Sequence, residues 1–497
     1  MRVMKSKITL LSLAISGLFA ASAAHAVVNL VPATPTGAVQ IASESTVSST
    51  APITLTNTGN IFDTMATLGF GVSGGQDRYV RFDLNNGAKW GAAIVAGNLV
   101  DMTTGANIAN VTVSQGGTTN DSYVVFQITA AAGGIPQADV LLFTPTSITV
   151  SSNSSVSITY GLHETAVSAA GPTPSNASLL ATKSGGIITF TPAVNITFGS
   201  VLTETAAATT SFRYFCSGVA GQPGTAGCAS TTTDVDAIVG RITTYALNAG
   251  VLANNGGAIA NLAVINTAAT AVTLTGDFSA ASALTANTGA YVDGTTGCTN
   301  TPLAGTSAVI NSARTVATYT LGNVAFGGTT YLCYRINGTG TPPVPASNYT
   351  AAYVPVGQTG YSPQNVNYGV SGVVGSIVRD GVELQSPWFS TNSTQYVTRF
   401  FLTNTGSTAA SCTVSAFGET GNTLTTGTAV ASGVTIPANG QLAVLATDVV
   451  SAGSTAGRAA ARFVCAAPSV NIQGTYVITH LANGSVSNTP LLRPGTN

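Results

Sequence analysis

The sequence predicts an all-β protein made of about three β-sandwich domains in tandem, with disulfides in the second and third. Helix signals are nearly absent, whereas short runs of alternating β-branched and polar residues recur along the chain, as at 123–129 and 147–160. Gly, Asn and Pro bound most of these runs. Many short strands with turn-rich connections are typical of β-sandwiches, and a chain of 497 residues is too long for one sandwich.

The first 26 residues predict a cleaved secretory signal peptide. Three basic residues, Arg2, Lys5 and Lys7, precede an apolar stretch at 8–23, and Ala24-His25-Ala26 fits a small-residue cleavage site. The alternative, an uncleaved membrane anchor, is disfavoured because the apolar stretch is short for a bilayer-spanning helix. The rest of the sequence contains no other candidate span. We therefore expect an exported protein, extracellular or at the cell surface, with no transmembrane segment after signal cleavage.

Changes in composition divide the remaining chain into three predicted domains. The first, residues 27–185, contains no cysteine and ends in a Pro- and Gly-rich stretch at 170–186. The second, residues 186–367, holds four cysteines and ends in a similar stretch at 338–365. The third, residues 368–497, holds the last two cysteines. Stretches of this composition are typical domain boundaries.

The six cysteines predict three disulfides, because an even count in an exported chain is typical of a disulfide framework. A zinc site is disfavoured, since no Cys-x-x-Cys occurs and no His lies near a Cys. Other connectivities are open, but the order along the chain suggests three pairs: Cys216–Cys228, Cys298–Cys333 and Cys412–Cys465.

The third domain contains a distinctive succession of segments. A strand pattern at 397–404 (VTRFFLTN) is followed by a turn at 435–441 (TIPANGQ). The next segment, 442–450 (LAVLATDVV), predicts a leucine-rich strand that leads into a small helical or looped stretch, TDVV. A last strand pattern at 472–481 leads into the turn Asn483-Gly484. This succession resembles the immunoglobulin-like sandwiches of secreted bacterial surface proteins. The resemblance implies an immunoglobulin-like fold and a spacer, adhesive or assembly role without a catalytic motif.

Charge is scarce in this chain. Only 7% of its residues are charged, against about 25% in an average soluble domain. Three of the 16 basic residues lie in the predicted leader, so 13 oppose 17 acidic residues and the mature net charge is −4. No basic patch or acidic run occurs, which disfavours nucleic acid and anionic lipid as partners.

The composition as a whole resembles that of bacterial self-assembling surface proteins, such as surface-layer subunits and filament or sheath subunits. These proteins are exported, β-rich and rich in Thr, Ala, Gly and Asn, and weakly charged surfaces repel their own copies little. The resemblance implies a non-catalytic structural protein whose partners are copies of itself.

Catalytic signals have simpler interpretations in this sequence. The stretch 69–75 contains GxGxxG and GxSxG patterns, but both sites need a following helix, and a strand pattern follows instead. His163 and His480 lie in strand-like contexts, which favours residues on a sheet face. We therefore expect that the protein is not an enzyme.

Two kinds of binding site are candidates. Asp234 and Asp236 place two carboxylates on one face of a strand, and calcium prefers clustered oxygen ligands, although solvent-facing acids are the simpler interpretation. The alternative function is a secreted adhesin or carbohydrate-binding protein that contacts cell-surface glycans. Such a protein needs exposed aromatic side chains, and the candidates are Trp90 and Trp388.

A short motif recurs along the chain. The sequence LTNTG occurs at 55–59 and at 402–406, and a looser form, VINTA, occurs at 264–268. Each copy follows an apolar run, and Asn and Gly accept the backbone angles of turns. The motif predicts a strand that leads into a turn, although chance recurrence is the alternative in a chain of this composition.

Overall fold

The computed structural model describes residues 28–32, 37–103, 105–216, 234–294, 298–338, 342–420, 423–451 and 457–494, and strands dominate these segments. The predicted signal peptide lies outside the described residues. In chain order the strands are β1 (Val28–Asn29), β2 (Val39–Ala42), β3 (Ile53–Thr56), β4 (Thr64–Thr67), β5 (Asp77–Leu84), β6 (Lys89–Trp90), β7 (Leu99–Asp101), β8 (Ile108–Gly116), β9 (Tyr123–Ala130), β10 (Val140–Phe143), β11 (Ser147–Val150), β12 (Val156–His163), β13 (Leu179–Thr191), β14 (Val194–Phe198), β15 (Leu202–Ala206), β16 (Asp236–Leu247), β17 (Val251–Leu252), β18 (Ala271–Thr275), β19 (Ala290–Asp293), β20 (Ser307–Ile310), β21 (Val316–Thr320), β22 (Thr330–Arg335), β23 (Ser347–Val354), β24 (Ser371–Arg379), β25 (Val382–Gln385), β26 (Phe389–Ser390), β27 (Tyr396–Asn404), β28 (Ala410–Gly418), β29 (Val434–Ile436), β30 (Gly440–Leu445), β31 (Arg458–Cys465), β32 (Ile472–His480) and β33 (Val486–Pro490). The predicted all-β fold class is confirmed.

Helices are short wherever the structure describes them. The α-helices are α1 (Ala166–Ala169), α2 (Thr428–Ser432) and α3 (Ala446–Val449), and single 3-10 turns occur at Ala96–Asn98, Asn176–Ser178, Ala208–Thr210, Leu262–Val264 and Pro363–Asn365. None of these described helices is long and apolar enough to cross a membrane.

The chain folds into two compact units. The first contains Met1–Ala193 together with Asn248–Ala260, and the second contains Val194–Leu247 together with Asn261–Asn497. The division into domains at 27–185, 186–367 and 368–497 stays a prediction.

In the first unit, the residues that the structure describes form three sheets around one apolar core. Their strand orders are β1-β4-β10-β7, β3-β11-β6 and β17-β2-β13-β12-β5-β9-β8. Alternate residues of β12, such as Val156, Ile158 and Tyr160, are buried in this core, as the period-two pattern requires. Phe143 lies at its centre, stacked on Phe82 at a centroid distance of 4.3 Å. Side chains from all three sheets contribute to the core, so these sheets are stabilised together.

The described residues of the second unit form four sheets. Their strand orders are β14-β16-β22-β19, β15-β24-β23-β18-β21-β20, β25-β31-β28-β29 and β30-β27-β32-β33, and β26 also pairs with β31. The last two sheets enclose a core in which Phe400 contacts Phe389 and Phe463, both at a centroid distance of 5.2 Å. Strands and turns of this sandwich match the segments that carried the immunoglobulin-like resemblance, and the short helix α3 falls on the TDVV stretch, for which a small helical or looped segment is expected.

Two predicted disulfides are present, Cys298–Cys333 and Cys412–Cys465. Cys216 is also disulfide-bonded, and its predicted partner Cys228 lies outside the described residues. Cys412 and Cys465 occupy directly opposed positions of the neighbouring strands β28 and β31. This bond therefore joins strands of one sheet, whereas the conserved disulfide of antibody domains joins two sheets.

The recurring LTNTG motif has the same structural role at both of its positions. Asn57 directly follows β3, and its amide donates to the Pro145 carbonyl at 2.8 Å. Asn404 ends β27, and its amide donates to the carbonyls of Thr408 and Pro437. In each copy the side-chain oxygen also accepts a nearby backbone N–H. The Asn thus satisfies loop backbone groups where a strand ends.

We expect Asn404→Ala to lower the free energy of unfolding of the mature protein by about 2–3 kcal/mol, because Asn404 is buried and its loss leaves backbone groups unpaired. Urea denaturation followed by circular dichroism measures the change. Asn488→Ala, at an exposed position of β33, is the matched control and should change stability by less than about 0.5 kcal/mol. Equal effects of the two substitutions would contradict the role of Asn404.

Candidate functional site

The first candidate surface consists of strand edges that carry no charge. Among the described strands, β8 pairs with β9 alone and ends the seven-stranded sheet of the first unit. It is nine residues long and contains no charged residue and no proline. Proteins commonly protect such edges with lysine, proline or bulges, because unpaired backbone groups otherwise recruit another strand. β8 has two register irregularities but none of the chemical protection.

The alternation of apolar and polar residues in β8 determines which of its side chains face the core. Val111 and Val113 are half-buried and pack against the core of the first unit. Thr112 and Ser114, between and after them, are exposed. One face of the strand is thus anchored while neutral side chains cover the other.

The sheet of β30, β27, β32 and β33 repeats this property in the second unit. Its two outer strands, β30 and β33, contain no charged residue. Leu445 at the end of β30 is 40% exposed, and Val486 at the start of β33 is 62% exposed. Both edges of this sheet are therefore neutral and partly apolar.

The second candidate surface surrounds Trp388 on the outer face of the sheet that contains β31. Its members are Trp388, Phe417, Arg458, Ala460 and Arg462, and we refer to them as the aromatic–arginine face. Trp388 is 48% exposed and Phe417 is 46% exposed. The Arg458 guanidinium lies 5.9 Å from the centroid of the Trp388 ring, and that of Arg462 lies 5.4 Å from the Phe417 ring.

The alternation of β31 creates this face. Ala459, Ala461 and Phe463 are buried in the core, so the residues between them point outward. Across the sheet, Ala460 pairs with Phe417, and Phe389, the buried neighbour of Trp388, pairs with Ala459. The two aromatic rings therefore flank a small central residue, with one arginine on each side of it along the strand.

Acidic partners hold the two arginines differently. Nε of Arg462 lies 2.7 Å from Oε1 of Glu383, a buried residue that also pairs with Arg379. Nε of Arg458 lies 3.6 Å from Oε1 of Glu419, and both of these side chains are at least half exposed. Arg462 is thus held by an ion pair to a buried carboxylate, whereas the exposed Arg458 pair contributes little and can exchange partners.

Trp90 lies in the core of the first unit. It is 0% exposed, and its ring packs edge-on against Phe143 at 5.4 Å. A sugar cannot reach either face of the ring, so the expectation that Trp90 is an exposed binding aromatic is wrong. The pairing of β6 with β11 buries Trp90, and the local sequence does not indicate this long-range pairing.

The predicted calcium residues take part in a network with an arginine. Both carboxylate oxygens of Asp236 accept hydrogen bonds from Arg335, at 3.0 and 2.8 Å. Asp234 accepts the backbone N–H of Asp236, and burial raises its pKa. Within the described residues no group of three or more His, Cys, Asp or Glu could hold a metal ion. Calcium here stays a prediction, and it would have to displace the Arg335 guanidinium.

A further buried carboxyl lies near this network. Glu204 of β15 reaches to β16, where its Oε1 accepts the Ile238 N–H at 3.2 Å. Burial raises its pKa to about 7, an effect that the hydrogen bond opposes and the neighbouring Asp234 reinforces. Because β15 and β16 belong to different sheets, this carboxyl joins two layers of the second unit.

The two histidines have structural contacts. The Ser168 hydroxyl donates to the Ser175 carbonyl at 2.8 Å, so its oxygen is the acceptor for Nδ1 of buried His163 at 3.0 Å. Burial, reinforced by Arg81, lowers the pKa of His163, which favours the neutral ring. His480 contacts Asn483 and packs edge-on against Tyr396.

The sequence predicts Trp388 as a binding residue but not the other four members of the aromatic–arginine face. For Arg458, Ala460 and Arg462 a signal exists in the segment RAAARFVC of β31. Two arginines four residues apart share one face of a strand, and Ala460 is the small residue between them on that face. Pairing with Phe417 depends on sheet register, which the sequence does not reveal.

We expect Glu204→Gln to flatten the pH dependence of stability between about pH 5 and pH 8. The pKa of Glu204 is about 7 in the folded state and about 4.5 in the unfolded state, so below pH 4.5 its carboxyl is protonated in both states and costs no stability. As pH rises from 4.5 toward 7, this residue lowers the free energy of unfolding of the wild type by about 3 kcal/mol. Glutamine stays neutral and keeps the acceptor. Chemical denaturation across this range measures the difference, with the exposed Glu419→Gln as control. Parallel pH profiles for wild type and Glu204→Gln would contradict this expectation.

Comparison with known proteins leaves the family open. No family model and no curated protein matches the chain. One similar solved structure is the C-terminal domain of the AgI/II polypeptide BspA of Streptococcus agalactiae, with a TM-score of 0.17, 12% identity and coverage of 57% of this chain and 81% of that one. Two others, BspA_C_WT and BspA_C_mut, have TM-scores of 0.18 and 0.20, identities of 11% and 10%, and cover 65% of this chain and 91% and 97% of theirs. At these TM-scores the similarity carries no argument about fold or function.

Proposed function

We propose that the protein is an exported, non-catalytic structural protein that self-assembles on the bacterial cell surface, as a subunit of a surface layer, filament or sheath. The observation that carries the proposal is the long uncharged edge strand β8. A second copy can add a strand to such an edge, because the backbone supplies the hydrogen bonds and no charge has to be desolvated.

The distribution of charge supports the same proposal. All 17 acidic residues lie in the described part of the chain, and only Glu164 and Glu419 fall in the exposed class. Like-charge repulsion between copies is therefore weak, and exposed apolar residues such as Leu445 and Val486 lie at neutral edges. Strand addition and apolar contact can then act together.

The absence of catalysis is part of the proposal. His163 and Ser168 lie within hydrogen-bonding distance, but both are buried and the Ser168 hydroxyl is used by a backbone carbonyl. This arrangement supports a structural role for the pair. The alternative function, a surface adhesin that binds glycans, is favoured by the exposed ring of Trp388.

The test is negative-stain electron microscopy of the purified mature protein at high concentration, with and without calcium. We expect ordered arrays or filaments in the wild type. Thr112→Lys combined with Ser114→Lys should abolish them, because two charges on the edge of β8 oppose strand addition. Ser184→Lys is the matched control, since it adds a charge at an exposed position of β13, an inner strand of the same sheet.

Two results would overturn parts of the proposal. A wild-type protein that stays monomeric under all these conditions contradicts self-assembly. Arrays that persist in the double lysine variant contradict the role of β8. Circular dichroism of each variant shows whether the fold is retained, so that loss of assembly is not confused with unfolding.

A further inference from the structure

We propose that the aromatic–arginine face binds an acidic polysaccharide, a polymer of sugars that carry carboxylates. The inference is independent of self-assembly, because it concerns a different surface from β8. It rests on two exposed aromatic rings, the exposed guanidinium of Arg458 and the half-buried guanidinium of Arg462 around Ala460.

The geometry suits an extended, flat ligand. Neighbouring strands lie about 4.8 Å apart, so Trp388 and Phe417 stand about 10 Å apart on either side of β31. Ala460 lies between the two rings on β31, and its methyl side chain is much shorter than theirs. Sugar rings present apolar C–H faces that pack on aromatic rings, and two such rings in one row can contact successive sugars.

The arginines supply the selectivity for acid groups. Each guanidinium lies within 6 Å of an aromatic ring centroid, at 5.9 Å for Arg458 and 5.4 Å for Arg462. A guanidinium carries five N–H donors, so the ion pair at Nε leaves donors for a ligand. Those donors match the two oxygens of a carboxylate. Glu383 holds Arg462 in place, while Arg458 is 65% exposed and can leave Glu419 for a ligand.

Charge complementarity favours a polysaccharide over a second copy of this chain. Glu164 and Glu419 are the exposed acids among the 17 of the sequence, and Glu419 belongs to the surroundings of the face itself. A copy therefore offers one further exposed carboxylate to two arginines, whereas a polyuronate offers one on every sugar. The multiplicity of carboxylates also permits binding at many registers.

The test measures binding of the purified mature protein to polygalacturonate by isothermal titration calorimetry. Fully methyl-esterified polygalacturonate is the matched neutral polymer. We expect binding to the acidic polymer that weakens with salt, and at least tenfold weaker binding to the ester. Trp388→Ala and Arg458→Gln should each reduce affinity for the acid about tenfold.

Two exposed residues away from the face provide matched controls. Phe70→Ala removes an exposed aromatic ring in the first unit, and Arg399→Gln removes an exposed arginine on the other sheet of the same sandwich. Both variants should bind the acidic polymer like the wild type. All four substitutions lie at exposed positions, and circular dichroism verifies that each variant is folded.

Several outcomes would overturn the inference. Equal affinity for the acid and its ester would mean a neutral-sugar site, and the absence of binding to either polymer would exclude a glycan of this class. Loss of binding in the controls as well would indicate non-specific attraction. If Trp388→Ala disrupts arrays of the protein and no variant alters polymer binding, the face is a contact between copies.

Discussion

The structure depends on how a chain with so few charges distributes them. Burying an ion is costly unless it is paired and hydrogen-bonded, yet this protein places several of its scarce charges inside. Arg81 is buried and pairs with Asp83, and Glu383 is buried between Arg379 and Arg462. Charges used in this way fix the internal geometry, and the edge strands β8, β30 and β33 contain none.

Neutral side chains form many of the hydrogen bonds at strand ends and between neighbouring strands of this protein. Asn57 and Asn404 satisfy loop backbone groups at the ends of strands, and pairs of threonines such as Thr54 and Thr149 bridge neighbouring strands. These interactions stabilise the fold without a long-range field. A surface with few charges causes little electrostatic repulsion between copies of the protein, and its binding specificity depends on shape.

Much of the fold could be predicted from the sequence because the signals are local. Alternation gives the strands, and cysteine order suggested the pairs Cys298–Cys333 and Cys412–Cys465, which the structure contains. The candidate site depends on pairing between distant segments, which the local sequence does not reveal, and the predicted exposure of Trp90 was wrong for this reason. Trp90 lies in β6, which pairs with β11 beside the core, whereas Trp388 directly precedes β26, a two-residue strand that pairs with β31.

The assignment of β17 is the clearest example of this limit. It lies between β16 and β18, two strands of the second unit, yet it pairs with β2 in the first. The order of segments along the sequence predicts that β17 belongs to the same domain as β16 and β18, because composition does not indicate which sheet has an edge free to pair with it. The raised pKa of Glu204 could not be predicted from the sequence either, because it results from burial of the carboxyl between two sheets, each of which is assembled from strands that are distant in the sequence.

The most direct test of assembly through neutral edges is its dependence on salt. Sedimentation velocity of the mature protein at about 0.05 M and about 1 M NaCl compares conditions in which the screening length falls from more than 10 Å to about 3 Å. Strand addition between uncharged edges predicts that large species persist, or increase, at the higher salt. Dissociation into monomers as salt rises, or a monomer under both conditions, would contradict it.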